Sequence, residues 1–314
     1  MLSTRFCLLA VTAASLSLVA CGPAARTDVD GNTTTGDGNN NNNGDGNNSN
    51  SNCTADGVDL IYVVDDQNNF QSFNPRRLGM NPGPFTQIAK LTCPGAGSAN
   101  PFSMSVDRNG IAWVLYSSGD IFKVNITTGA CSASGYTKNQ MGMKVFGMGF
   151  VTDAAGSNSE KLFIGGGTDT AAPGGKFAQI DTTAASPSPV ILGNLRSDTE
   201  QSPELTGTAE GKIYGFYPGA SNAFVQEINR ANGGGVGTEL RIPGGLGGQA
   251  SAWAFAFWGG KFYIFVTTGD IFSGENSTVR VIDRATGAAS TPLQNLSHNY
   301  VGAGVSTCAP VVVE

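Results

Sequence analysis

The sequence predicts an all-β fold: a β-propeller of five four-stranded blades, closed where the C-terminal strand joins the first blade. Three observations carry that expectation. The first is compositional. Of 314 residues, 44 are Gly, 40% are hydrophobic and only 13% are Asp, Glu, Lys or Arg, about half the charge of an ordinary soluble domain. From Asn52 onward, short apolar runs alternate with Gly, Asn, Asp and Pro, and no stretch keeps a helical period; this is strand-and-turn punctuation. The second is a repeat. The runs LIYVV, IAWVL, KLFIG, KIYGF and KFYIF align on Tyr62, Trp113, Phe163, Tyr214 and Tyr263, at steps of 51, 50, 51 and 49 residues. The third is a mark after each run, an apolar residue and then Asn or Asp: Phe73-Asn74, Val124-Asn125, Ile180-Asp181, Ile228-Asn229 and Ile282-Asp283.

Each repeat divides into four strands. Strand A is small and apolar, as in FSMSVDRNG, FGMGFVTD, PELTGTAEG and WAFAFWGG, which suits innermost strands that crowd toward an axis. Strand B is the aromatic run. Strand C ends at the Asx mark, and turns such as NITTG, INRANG and IDRATG follow. There the Asx side chain bonds the backbone two residues on and Gly supplies positive φ. Strand D reads FTQIAKL, SPVILGNL, TELRIP or STPLQNL. Four antiparallel strands per repeat of about 40–50 residues make a propeller blade.

The first repeat begins directly with strand B, Asp59 to Val64, whereas the terminal YVGAGVSTCAP has strand A character and follows the fifth repeat. The C-terminus is therefore expected to complete the first blade and leave no frayed sheet edge. Six blades are the alternative, with a weak repeat hidden in the long third one. The last four residues, VVVE, have no assigned partner. Over Gly57 to Val313 the chain resembles bacterial propellers of the broad WD-repeat, YVTN and quinoprotein-like group, which share the apolar-Asp-x-x-Thr-Gly hairpin. The resemblance implies an architecture and not an activity. The Trp that follows Thr-Gly in quinoproteins is missing, so no cofactor is expected.

The N-terminus carries an address. Met1 to Arg5 holds one positive charge, and Phe6 to Ala20 is apolar, too short for a membrane span and placed like a signal peptide's core. It ends in Leu18-Val19-Ala20-Cys21-Gly22, which resembles the bacterial lipobox. The resemblance implies removal of residues 1–20 and acylation of Cys21, and two or more acyl chains hold a protein stably on a membrane. Gly22 stands where Asp would retain a lipoprotein at the inner membrane, so the outer membrane of the envelope is the expected location. Residues 21–52 include TDVDGNTTTGDGNNNNNGDGNNSNSN. That stretch has almost nothing apolar to bury and is expected to be a disordered tether, with a reach of roughly 30 Å. Its Asp28-x-Asp30-x-Asn32 spacing partly matches a calcium loop, but Thr33 and Asn39 occupy the positions that need Gly and a bidentate acid. The propeller domain is 53–314.

Six Cys are present. On the lipoprotein resemblance, Cys7 is expected to leave with the leader and Cys21 to be lipidated, so Cys53, Cys93, Cys131 and Cys308 are expected to remain in an oxidising compartment where disulfides form. Three pairings are possible. Cys53–Cys308 is favoured as a staple across the closure, worth roughly 4–5 kcal/mol in the loop-entropy description. That leaves Cys93–Cys131 between neighbouring blades, an uneasy pair because the two lie at opposite ends of their D strands. With no CxxC and a single His, no metal site is expected.

A propeller's usual site is its axial mouth, lined by residues leading into each strand A. Here these are Asn100, Gln201, Glu204, Gln249, Ser251, Trp253, His298, Asn299 and Tyr300. The set is polar and aromatic and suits a protein or glycan ligand, with Trp253 and Tyr300 as stacking platforms; the same two rings can instead be blade core. Glycoside hydrolysis needs two flanking carboxylates, and the mouth offers one, Glu204. Asp107, Asp153 and Glu210 fall toward the far end of strand A, and Asp65, Asp66 and Asp270 lie at outer turns. A Ser-His-Asp triad would have to use His298, which no GxSxG elbow accompanies. No catalytic residue is assigned. With net charge −6 and no Lys/Arg cluster, nucleic acid is not an expected partner. The expectation is a membrane-anchored, non-catalytic binding or scaffold module, with a surface glycan hydrolase as the alternative.

Overall fold

Five sheets of four antiparallel strands make up the computed structural model, four built from one sequence repeat each and one from the first repeat together with the C-terminal strand. The structure describes residues 53–167, 173–270 and 274–313, without the side chain of Asp270. The leader, Cys21 and the tether lie outside the described residues. Among the described residues no helix is long and apolar enough to cross a membrane.

Blade 1 begins with β1 (Ile61–Asp65), β2 (Asn69–Phe73) and β3 (Phe85–Lys90). Blade 2 contains β4 (Pro101–Val106), β5 (Ile111–Tyr116), β6 (Ile121–Asn125) and the short β7 (Cys131–Ala133). Blade 3 contains β8 (Phe146–Thr152), β9 (Glu160–Gly166), β10 (Lys176–Ile180) and β11 (Pro189–Asn194). Blade 4 is β12 (Glu204–Gly207), β13 (Ile213–Tyr217), β14 (Phe224–Ile228) and β15 (Gly235–Arg241). Blade 5 is β16 (Gln249–Trp258), β17 (Lys261–Asp270), β18 (Gly274–Asp283) and β19 (Ala289–Leu296). The final strand, β20 (Tyr300–Val305), pairs with β1 and completes blade 1. The ring has five blades; the long third repeat hides no sixth.

The apolar runs of strand B are continuous because both faces of each blade are covered. Successive side chains point to opposite faces, and each face packs on a neighbouring blade. Ile61 and Val63 join the core shared with blade 5, while Tyr62 and Val64 join the core shared with blade 2. The five aromatic anchors all take the same side. Tyr62 faces blade 2, Trp113 blade 3, Phe163 blade 4, Tyr214 blade 5 and Tyr263 blade 1. Each fills the wedge toward the following blade, which is the physical origin of the period.

The closure is a full strand pairing. Ile61 lies opposite Val305, Tyr62 opposite Gly304, Val63 opposite Ala303 and Val64 opposite Gly302, before the register shifts near Asp65. Cys53 and Cys308 are disulfide-bonded across it, their Cα atoms 5.6 Å apart. Cys93 and Cys131 form the second disulfide, with Cα atoms 5.1 Å apart. Strand twist resolves the unease over that pair. Sheets twist by roughly 20–25° per strand pair, and the end of β3 meets the C–D turn of blade 2, where a Cβ on Gly129 would touch Ala89 and Leu91. The terminal valines also have a place. The Gly259 amide donates to Pro310 O (2.8 Å), and Val311 packs beside the core between blades 4 and 5. The tail thus continues from the completed blade onto the A–B turn of blade 5.

Candidate functional site

The inner strands β4, β8, β12, β16 and β20 begin at one rim, where Phe102, Gly147, Glu204, Ser251, Trp253 and Val301 enclose a cavity of about 110 Å³. All five blades contribute to it. Close approach of the strands requires small residues: a Cβ on Gly147 would sit 2.5 Å from Glu204 Oε2 and 2.5 Å from Pro203 O. On the opposite wall, a Cβ on Gly302 would come within 3.0 Å of the Met104 backbone.

Glu204 opens β12 and is 3% exposed. Neither carboxyl oxygen has a hydrogen-bond partner of good geometry, and the neighbouring Ser103 Oγ has none either. Burial pushes the carboxyl well above the ordinary carboxylate range; the Ser103 hydroxyl and the backbone of Leu205 and Met148 offset this only in part. Gln201, three residues earlier, donates through Nε2 to Ala250 O (3.4 Å), and its Oε1 is buried without a partner. A protein interior normally pairs its buried polar groups. Glu204 departs from that rule at the cavity wall.

The sequence-predicted residues divide into three groups. Glu204, Ser251 and Trp253 line the cavity, whereas Gln201 is not among its lining residues and bonds Ala250 O. His298 and Asn299 form a rim on the loop that carries the chain into β20. His298 Nδ1 lies 2.6 Å from Asp65 Oδ2, and Asp65 also accepts from the Gln67 and Asn69 amides and from Asn69 Nδ2. This is a clamp that holds the closing loop to the β1–β2 turn. Asn299 Nδ2 donates to Glu275 Oε2 (3.1 Å) and lies 3.5 Å from Asp66 Oδ2. Ser251 Oγ donates to Glu275 Oε1 (3.2 Å), so the rim and the cavity wall are joined through that acid.

The remaining three stand apart. Asn100 is exposed and tied to Ser117, and Gln249 is exposed at the outer start of β16. Tyr300 is no stacking platform: its ring is buried, stacked on Phe85 at 5.3 Å, and its hydroxyl donates to Gln71 Oε1 (2.6 Å). Its side of β20 faces blade 5, not the axis.

Sequence reasoning missed Ser103 and Glu275. Ser103 alternates with apolar neighbours in PFSMSV, a signal that was available; Glu275 reaches the mouth from an outer strand and had none. The other acids weighed for catalysis are occupied elsewhere. Asp107 caps the turn after β4 and accepts from the indole of Trp113 (3.3 Å). Asp153 pairs with Lys161, and Glu210 with Arg284. A larger open groove of about 340 Å³ between blades 4 and 5 is lined by Glu210, Lys212, Glu227 and Arg284. Its charges are already paired with one another, so the axial mouth is the stronger candidate. Among the described residues no group of His, Cys, Asp or Glu is arranged to hold a metal ion.

No protein-family model matches the chain, and no curated protein matches it. It is similar to several solved structures. One is an exo-β-1,3-galactanase from Phanerochaete chrysosporium, at 10% identity over 65% of this chain and 52% of that one, with TM-score 0.45. Another is a GH43 β-1,3-galactosidase, at 11% identity over 61% and 48%, with TM-score 0.42. A third is a calcium-binding protein, regucalcin, from Agrobacterium tumefaciens, at 12% identity over 78% and 74%, with TM-score 0.41. The chain spans about half the length of the two sugar-acting enzymes. At such identities no activity passes from these proteins to this one.

Proposed function

We propose that the chain is a membrane-anchored envelope lipoprotein whose propeller is a non-catalytic binding or scaffold module, with the axial mouth as its ligand site. One observation carries the reading: Glu204, fully buried and unpartnered, at the wall of a cavity to which all five inner strands contribute. Leaving a polar group buried and unpaired costs about 1–3 kcal/mol, and a bound ligand offsets that cost. Glycoside hydrolysis needs a pair of carboxylates across the scissile bond, and Glu204 is the single acid in the cavity wall. Assay of the purified chain against a panel of glycans should therefore show no hydrolysis. Turnover that Glu204→Gln abolishes would establish the alternative, a surface hydrolase.

The anchor is a separate part of the proposal and rests on Leu18-Val19-Ala20-Cys21. Acylation at Cys21 places the domain at the envelope, with the outer membrane favoured by Gly22. In a bacterial host, labelled palmitate should enter the chain and Cys21→Ala should abolish both labelling and membrane fractionation. Unlabelled, soluble wild-type chain would remove the anchor and leave the axial-site reading intact.

A further inference from the structure

The chemistry of the axial mouth is one-sided. Its unpartnered atoms are Glu204 Oε1 and Oε2, with the Ser103 hydroxyl beside them. With Glu204 ionised these are acceptors, apart from the hydroxyl, and no unpartnered N–H accompanies them. A ligand that answers them must donate. The rim adds Asp65, Asp66 and Glu275, held by His298 and Asn299, and the chain as a whole carries −6. Trp253 adds an aromatic ring to the wall, and such rings attract cations.

Size narrows the class further. A cavity of about 150 Å³ holds one benzene ring, whereas this one measures about 110 Å³. A space of that size favours a slender group: an unbranched chain fills it more readily than a substituted six-membered ring such as a sugar. We infer that the axial pocket takes a primary ammonium group on an unbranched aliphatic chain, ion-paired to Glu204 and lying against Trp253. The inference rests on the axial mouth being the binding site.

Binding has a proton signature. The lining drawn from β4, β8, β12, β16 and β20 contains no titratable side chain besides Glu204, and no charged group lies close enough to oppose its burial. Glu275 approaches only through Ser251, and the Asp65–His298 pair and Asp66 belong to the rim. The carboxyl of the free protein therefore holds its proton more tightly than an ordinary carboxyl does. As the ammonium enters, Glu204 gives that proton to solvent and becomes the carboxylate partner; no bond in the ligand forms or breaks.

The test is calorimetric titration of the full chain with n-butylamine, putrescine, N-acetyl-lysine methylamide and N-acetylglucosamine, each in two buffers of different ionisation enthalpy. The amines are expected to bind with net release of protons, up to one per site, at acidic pH, and the sugar is expected not to bind. Preference for the lysine derivative would point to a protein ligand, and preference for putrescine to a free polyamine. Glu204→Gln should weaken amine binding more than tenfold and abolish proton release. Trp253→Leu should weaken it roughly 3- to 30-fold while proton release persists, which separates loss of the site from loss of the fold. Amine binding without proton release, or unaltered in Glu204→Gln, overturns the inference. Binding of the sugar alone overturns it too, but leaves the axial-site reading standing. If no probe binds, both fall.

Discussion

Glu160 sits at the other end of the inner strands from Glu204 and answers to the same physics. It accepts from the Arg108 amide (2.8 Å) and from Thr307 Oγ1 (2.7 Å), linking blade 3 to blade 2 and to the closing strand. Burial outweighs those bonds and raises its pKa from 4.5 to about 7. The folded state holds the proton more tightly than the unfolded chain, so the contribution is complete below about pH 4.5 and is lost as pH rises through about 7. At 1.36 kcal/mol per unit, the shift corresponds to at most about 3 kcal/mol. Urea midpoints should fall between mildly acidic and mildly alkaline pH, and Glu160→Gln should flatten the fall. Glu204 works in the same direction, so the double variant should be flatter still; a slope unchanged by both substitutions would sink the account. At this scale the sequence was readable by residue type and unreadable by direction. Glu204 stood out as the single acid among the strand A leads. Trp253 and Tyr300 looked alike there, yet one lines the cavity and the other packs on Phe85. A register shift between Ala250 and Ala252 in β16, and another beside Tyr300 where β20 meets Asp65, change which residues share a face. A slip of one residue turns a side chain to the opposite face, and nothing in the letters announces it.

The elements themselves were legible because each repeat restates the same constraints. Strand B must bury both faces, strand C must end in an Asx turn, and strand A must be small. In the turns after β6 and β18, Asn125 Oδ1 accepts from the Thr127 and Thr128 amides, and Asp283 Oδ1 from those of Ala285 and Thr286. The outer strands were harder to read, since one of their edges meets solvent and little fixes their composition. In blade 2 the fourth strand is only Cys131–Ala133. The requirement for small residues on strand A can be tested at Gly207. A Cβ there would lie 2.0 Å from Phe150 O on the adjacent blade, a contact that only backbone movement relieves. Gly207→Ala should therefore cost at least about 1–3 kcal/mol, the usual range for forced overpacking. Gly83 makes the control: a Cβ there meets nothing within 4 Å and its φ is not in the left-handed region. Gly83→Ala should change stability by less than about 0.5 kcal/mol. Equal effects from the two substitutions in chemical denaturation would mean that the inner strands are not packed to contact.

The ring as a whole depends on its last strand more than the length of that strand suggests. Without β20, blade 1 keeps three strands and the backbone edge of β1 is left open. Two inter-blade cores lose cover together: Tyr300, Ala303 and Val305 leave the core shared with blade 5, and Val301 leaves the one shared with blade 2. Tyr300 also takes with it the hydroxyl bond to Gln71. Loss of the following residues removes Thr307 from Glu160, Cys308 from Cys53 and the Pro310 carbonyl from the Gly259 amide. These contacts reach blades 1, 3 and 5, so the defect cannot stay local. Deleting 300–314, with Cys53→Ser to avoid a stray thiol, should abolish the cooperative thermal transition. Supplying 300–314 as a separate peptide should restore it, because the missing element is a strand with a defined register against β1 and not merely bulk. The Cys53→Ser, Cys308→Ser pair in the full chain isolates the staple: it keeps every strand and should melt cooperatively but earlier, by an amount set by the roughly 4–5 kcal/mol of loop entropy released. A truncated chain that still melts cooperatively without the peptide would show that the five blades close by some route other than the β1–β20 pairing.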